Sequence, residues 1–244
     1  MKIKYFYYPL VLLIVFISPG FDKVKKQKIL VFTKTNAVYH SSVKAGVIAI
    51  KKLGVKNHFD VDDTQDSTWF NNETLRNYKA IVFLSCSGKV FGSDEEKALQ
   101  EYIHQGGGFV GIHAATTCEY DWPWYGRLIG AYYNGDVPPQ RARLLVVDKH
   151  HPSTKFLPDV WWKKDEWYNF KNINPDIHVL IKIDEHSYKG GENGDDHPIA
   201  WFQAFEGGRV FYSAMGDADS TFSDAVFLKH ILGGIQYAMG NTTN

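Results

Sequence analysis

Three short, unbroken apolar runs constrain this chain most: Ile29 to Thr33 (ILVFT), Ala80 to Leu84 (AIVFL) and Phe109 to Ile112 (FVGI). Each is too short for a helix, and with no polar alternation each suits a strand buried on both faces. After the first run, Val43, Val47, Ile50 and Leu53 recur at helical spacing, with Ser41 or Ser42 as cap and Gly54 as stop. After the second, a helix is expected from Asp94 to His104, capped by Ser93 with Glu96 as its partner, and ending at Gly106. Strands and helices alternating at this spacing imply right-handed crossovers and a parallel sheet with helices on both faces. His58 to Val61 is a weaker strand. The nearby Asp60, Asp62, Asp63 and Asp66 lack the glycine and terminal Glu of a calcium loop, and read as a solvated loop.

In such sheets ligands gather at the C-terminal strand edge. The third run leads at once into His113, with Gly111 two residues before it and Ala115 two after. This outlines a strand–turn–helix elbow that displays a side chain on a sharp bend. An imidazole there can bind metal, move a proton or donate a hydrogen bond. His40 sits at the corresponding edge after the first strand, beside Tyr39. Cys86, at the tip of the second run, has no tight elbow around it and reads as structural.

The second half of the chain carries more polar chemistry. Glu119 to Arg127 is an aromatic loop, in which Trp122, Trp124 and Tyr125 are placed to form one pocket wall. A strand is expected at Arg143 to Val147, and His150-His151 reads as a surface turn before Pro152. In Asp165-Glu166-Trp167-Tyr168, alternation sets Glu166 and Tyr168 on one face and Asp165 and Trp167 on the other. One carboxylate then faces the site, the other water or an arginine. Strands follow at His178 to Ile183, His197 to Phe202 and Gly208 to Ala214, the last tipped by Met215-Gly216-Asp217. The final helix runs from about Asp224 to Met239, with Val226, Phe227, Ile231, Ile235 and Ala238 inward.

Lys+Arg and Asp+Glu both number 27, so the basic excess of a nucleic-acid binder is missing. No GxGxxG opens the first helix and no P-loop is present, which leaves nucleotide binding without a motif. Lys2 and Lys4 precede an apolar run from Tyr5 to Ile17, expected to be a signal peptide or N-terminal anchor over residues 1–24. The remainder, 28–241, is expected to be one domain, periplasmic or secreted, or anchored to a membrane through that leader alone.

VFTKTNAVYHSS, GGGFVGIHAATT, DKHHPST, DEWYNF, HPIAWF, GRVFYSAMGD and FLKHILGGIQYAMG, in this order, resemble the ThuA-like (trehalose utilisation) family from Ile29 to Gly240. The resemblance implies a flavodoxin-like, class I glutamine amidotransferase-like three-layer α/β sandwich with a mainly parallel sheet. Amidotransferases carry a catalytic Cys at the elbow, where this chain has His113, so that chemistry is not available. The family is associated with trehalose and related disaccharides, alongside an oxidoreductase that makes 3-keto glycosides. The polar set carried over is His40, His113, Asp165, Glu166, Tyr168 and His197. One position departs: the family usually has a His where this chain has Asp217. Asp also ligates cations, so a divalent metal stays open and no other cofactor is assigned.

The resemblance thus implies proton abstraction beside the ketone of a 3-keto disaccharide, leading to elimination or isomerisation. Glu166 is cast as base, His113 as holder or protonator of oxygen, and His40 and Tyr168 as assistants. Tyr39, Asp165, Trp167, His197 and Asp217 are cast as sugar-binding, although Trp167 and Trp201 also suit a core and His197 a strand end. The partner is a small carbohydrate, with no nucleic acid, and a homo-oligomer is left open. The competing class is a non-catalytic periplasmic sugar-binding protein. Hydrolysis by Glu166 with Asp121, Asp165 or Asp217 ranks last.

Overall fold

The computed structural model describes residues 1–4 and 26–241. The apolar run of the expected leader lies outside the described residues. The chain runs β1 (Lys28–Phe32), α1 (Val43–Lys56), β2 (Asp60–Thr64), α2 (Asn72–Leu75), β3 (Ala80–Leu84), β4 (Ser87–Gly88), α3 (Ser93–His104) and β5 (Gly108–Ile112). A 3₁₀ turn at His113–Thr116 then leads to β6 (Thr117–Cys118), α4 (Pro123–Ile129), β7 (Tyr132–Val146) and β8 (Val160–Lys171). Last come β9 (His178–Asp184), β10 (Pro198–Phe205), β11 (Gly208–Ser213) and α5 (Ala225–Ala238). Nine strands form one sheet in the order β2-β1-β3-β5-β11-β10-β9-β7-β8, and β4 pairs with β6 separately.

The sheet has two halves. From β2 to β11 all neighbours are parallel, and β1, β3 and β5 are the three apolar runs. Helices α1 and α5 cover one face while α3 and α4 cover the other, giving the layered α/β sandwich expected. Phe32, Phe70, Phe83, Phe91 and Phe109 interlock in one aromatic cluster, with ring centroids of contacting pairs 4.5–5.9 Å apart. From β11 to β8 the neighbours are antiparallel, so the sheet is parallel in one half only. Here the residues alternate between buried and exposed, as strands wet on one face do. Register shifts at Tyr133/Asp136 and Val137/Gln140 bend the β7–β8 pair.

Several local expectations shift. Asp60, Asp62 and Asp63 belong to the edge strand β2, not to a loop, and pair with Lys26 (3.3 Å), Lys28 (2.5 Å) and Lys51. Charged side chains of this kind keep an edge from recruiting another strand. Ser42 caps nothing; its buried hydroxyl donates to the Gly216 carbonyl at 2.9 Å. At α3, Gly92 takes the cap position and its N–H donates to Glu95 Oε2 at 3.0 Å, one residue earlier than the sequence suggested. His151 is buried, not a surface turn, and stacks on Phe202 and Phe211. Val226 faces outward while Phe227, Ile231, Ile235 and Ala238 pack inward. Cys86 and Cys118 are buried free thiols, and the Cys86 thiol donates to the Phe32 carbonyl at 3.0 Å. Among the described residues no helix is long and apolar enough to cross a membrane.

Candidate active site

The parallel half delivers three side chains from strand tips. β5 ends at Ile112, and His113 follows with φ +53°, in the left-handed region that non-glycine residues avoid. Holding a non-glycine residue there costs about 1–3 kcal/mol and persists only where the surroundings over-determine it. They do so here. The Tyr212 hydroxyl donates to the His113 carbonyl at 2.8 Å, and the Tyr125 hydroxyl donates to the Ala115 carbonyl at 2.7 Å. Gly111 is required as well, because a Cβ there would collide with Ile129 and Tyr212. The elbow therefore forms as expected, though a single 3₁₀ turn replaces the helix. His40 comes from the loop after β1, its ring edge-on to that of His113 with centroids 4.7 Å apart. Asp217 follows β11, past Gly216, whose φ of +132° turns the chain in toward His113.

The antiparallel half contributes through the bent β7–β8 pair. Glu166 and Tyr168 share a face, as alternation required, and both meet His113. Glu166 Oε2 lies 3.4 Å from His113 Nε2, and the Tyr168 hydroxyl lies 3.0 Å from the same nitrogen and 3.5 Å from His40 Nε2. Asp217 Oδ1 is 3.9 Å from His113 Nε2. One donor atom from each of His40, His113, Glu166 and Asp217 falls within 4.8 Å of the others. His113 is fully buried at the bottom, whereas the Glu166 and Asp217 side chains keep 18% and 26% of their surface. The cluster is thus open on its carboxylate side.

Its electrostatics follow from these neighbours. Burial of His113 works against the imidazolium. The Glu166 carboxylate, the Ala214 carbonyl that accepts from Nδ1–H at 2.8 Å and the Asp165 charge outweigh burial and raise its pKa. Burial and the adjacent His113 instead lower His40 to about 4, against a partial offset from Asp217 and Asp136, so it is neutral near pH 7. Burial, reinforced by the Glu166 charge, holds the Tyr168 phenol well above its ordinary value, so it keeps its proton. The set offers a carboxylate, two imidazoles of which His40 is neutral, and a phenol around one point.

Other expected site residues lie elsewhere. Asp165 faces neither water nor an arginine. It is buried and accepts from the Gly216 and Asp217 N–H groups at 3.2 and 3.1 Å and from the Thr221 hydroxyl at 3.2 Å. It therefore fixes the loop that presents Asp217. Trp167 is buried, and its indole donates to the Gln140 carbonyl at 2.8 Å, which ties β8 to β7 and presents no platform to a sugar. His197 is fully buried between the Tyr168 carbonyl (2.8 Å) and Glu185 (2.7 Å), so it steadies the strand carrying Tyr168. Tyr39 is exposed beside His40. Trp122 stacks on both Trp124 and Tyr125 at α4, and Tyr125 bonds to the turn through the Ala115 carbonyl.

Two neighbours were missed in the sequence. Tyr133 packs edge-on to Tyr168 with centroids 4.8 Å apart, and its hydroxyl donates to Asp136, whose charge reaches His40. Both lie in YYNGDVPP, for which the sequence predicts no element; its one signal was the tyrosine pair after Gly130.

The ThuA family, described as trehalose utilisation, matches residues 28–238. The chain belongs to that family. Among solved structures, a ThuA-like protein from Bacteroides uniformis ATCC 8492 is 25% identical with a TM-score of 0.74, covering 91% of this chain and 95% of that one. A second ThuA-like protein, from Parabacteroides merdae ATCC 43184, is 22% identical with a TM-score of 0.73, covering 90% and 92%. A β-galactosidase from Bacillus circulans sp. alkalophilus shares the fold over 31% of its own length, at 15% identity and a TM-score of 0.58. A comparison with curated proteins finds no match. For this ThuA-family chain, the residue at the elbow is His113, whose Nδ1 is held by the Ala214 carbonyl and whose Nε2 meets Tyr168, Glu166 and Asp217.

Proposed function

We propose that this ThuA-family protein abstracts a proton beside the ketone of a 3-keto glycoside. The observation that carries this reading is the convergence of Glu166, His113, Tyr168 and His40 on one partly open point at the strand edge. A ketone at C3 acidifies the C2–H bond. The Glu166 carboxylate takes that proton, and the electron pair becomes the C2–C3 double bond of an enolate. The His113 and His40 side of the cluster holds the enolate oxygen. Collapse of the enolate re-forms the ketone, makes the C1–C2 double bond and expels the glycosidic oxygen, which takes a proton from Tyr168 or His113. Alternatively a proton passes from O2 to O3, and C3 takes back the proton held by Glu166, which leaves the ketone at C2. Both outcomes start from the same abstraction.

The test is turnover of 3-keto trehalose, with solvent deuterium incorporation at C2 followed by NMR. The native protein is expected to convert or exchange the substrate. Glu166→Gln and His113→Ala should each lose at least about 100-fold, the usual contribution of a positioned acid or base. Binding of the keto sugar without exchange or product would instead favour the sugar-binding class. We place this chemistry outside the cytoplasm, on the support of Lys2, Lys4 and the apolar run after them. N-terminal sequencing of protein recovered from a periplasmic fraction tests that placement.

A further inference from the structure

We propose that His40, His113 and Asp217 bind one divalent cation of the zinc or manganese kind, with Glu166 left beside it as the base. What the ion does, and the casting of Glu166 as base although its Oε2 lies 3.4 Å from His113 Nε2, rest on the reaction above; whether the ion binds does not.

The first argument is spacing. Asp217 Oδ1 lies 3.9 Å from His113 Nε2, and a His40 ring atom lies within 4.8 Å of both residues' donor atoms. Ligands about 2.1 Å from a tetrahedral ion sit about 3.4 Å from one another, so closing these separations by about 0.5 to 1.4 Å gathers the set. The second argument is orientation. His113 spends its Nδ1–H on the Ala214 carbonyl at 2.8 Å, which fixes the ring and aims Nε2 into the cluster. Metal-binding imidazoles are held in this way by a backbone acceptor on the far nitrogen. Asp217 is held likewise, since its own N–H and that of Gly216 are gripped by Asp165. The third argument is that His40 is weakly partnered: its Nε2 meets the Tyr168 hydroxyl only at 3.5 Å, and its Nδ1 is buried with no partner among the described residues.

The donor set indicates the metal. Two imidazoles and one carboxylate suit zinc, or a first-row ion such as manganese that takes imidazole beside carboxylate, better than calcium or magnesium, which prefer all-oxygen shells. Three protein ligands leave a position open, as catalytic sites do. Glu166 and Asp217 flank the exposed side, so a ketone oxygen entering there meets the ion and the base together. The Tyr168 hydroxyl, 3.0 Å from His113 Nε2, then serves as the proton donor to the leaving oxygen.

The experiment uses the full chain, stripped with chelator and titrated with zinc or manganese(II) alone by calorimetry, with bound metal quantified after dialysis. The native protein is expected to bind one equivalent. His40→Gln and Asp217→Asn should each weaken binding by at least about 10- to 100-fold, the scale seen even for losing a supporting residue. Glu166→Gln should bind metal as the native protein does while losing turnover. Thermal melts of each variant confirm folding. Failure of the native protein to bind either ion overturns the site. Equal weakening in Glu166→Gln and Asp217→Asn overturns the division of roles, because Glu166 would then be a ligand. Tight binding without turnover of any keto glycoside leaves the metal site standing and removes the proposed reaction.

Discussion

The two halves of the sheet reach the same point by different means. The parallel half delivers His40, His113 and Asp217 at strand tips, where the backbone is pinned by Gly111, Gly216 and the Tyr212 hydroxyl. The antiparallel half delivers Glu166 and Tyr168 from the middle of a bent pair of strands. Loops at strand tips fix single residues in unusual conformations. A strand fixes several side chains at once, with alternate ones directed to support. Thus Asp165 and Trp167 hold the frame while Glu166 and Tyr168 face the cluster. The parallel half is the anvil, and the β7–β8 pair is laid over it.

The sharpest way to break this division is Asp165→Ala, set against Glu166→Gln. Removing Asp165 leaves the Gly216 and Asp217 N–H groups and the Thr221 hydroxyl without their acceptor. We expect a stability loss of about 3 kcal/mol or more, read by denaturant unfolding, because each buried donor left unpaired costs about 1–3 kcal/mol. Glu166→Gln should leave the unfolding midpoint nearly unchanged, and an equal loss in both variants would erase the contrast.

A similar loss, about 3–5 kcal/mol, is expected for Phe83→Ala in the aromatic cluster, with metal binding retained. It tests whether the parallel core can loosen without disturbing its strand tips. Gly216→Ala comes next. A side chain at φ +132° is strained, and its Cβ would lie 3.2 Å from Ile112 and 3.4 Å from His113. A cost of about 1–3 kcal/mol is expected, with a parallel fall in metal affinity as Asp217 shifts.

Acid sensitivity distinguishes the seam between the halves. Burial lowers His151 and His230 each to about 4, against partial offsets from Asp148 at His151 and the Ser153 carbonyl at His230. The folded pKa lies below the unfolded value near 6.5, so the unfolded chain binds more protons in between. The stability these residues contribute is complete above about pH 6.5 and is lost as pH falls toward 4. Unfolding midpoints measured across that window should fall, and His151→Phe, which keeps the stack on Phe202 and Phe211, should flatten the slope. The smallest effect belongs to the sheet edge. Lys26→Ala removes a half-exposed pair with Asp60 and should change stability by less than about 1 kcal/mol.

How much of this was legible follows the same division. The parallel strands are buried on both faces, so ILVFT, AIVFL and FVGI announce themselves, and with them the strand edge where His40 and His113 stand. Alternation in DEWY separated Glu166 and Tyr168 from Asp165 and Trp167, but it could not show that the buried carboxylate would find backbone N–H groups for partners. The first part of β7 was opaque. YYNGDVPP has two prolines, a glycine and no apolar periodicity, and becomes a strand because β8 lies alongside it. Tyr133 and Asp136 were hidden with it. His151 was misread for a related reason: its burial depends on Phe202 and Phe211, far away in sequence.

The four side chains of the cluster stand at positions 40, 113, 166 and 217. A ribosome working from the amino end makes the last of them long after the first, and no contiguous fragment short of that span holds the set. The centre is therefore a property of the completed fold. A chain cut soon after the His113 turn would keep two imidazoles and lose Glu166, Asp217 and the strand β11 that pairs with β5.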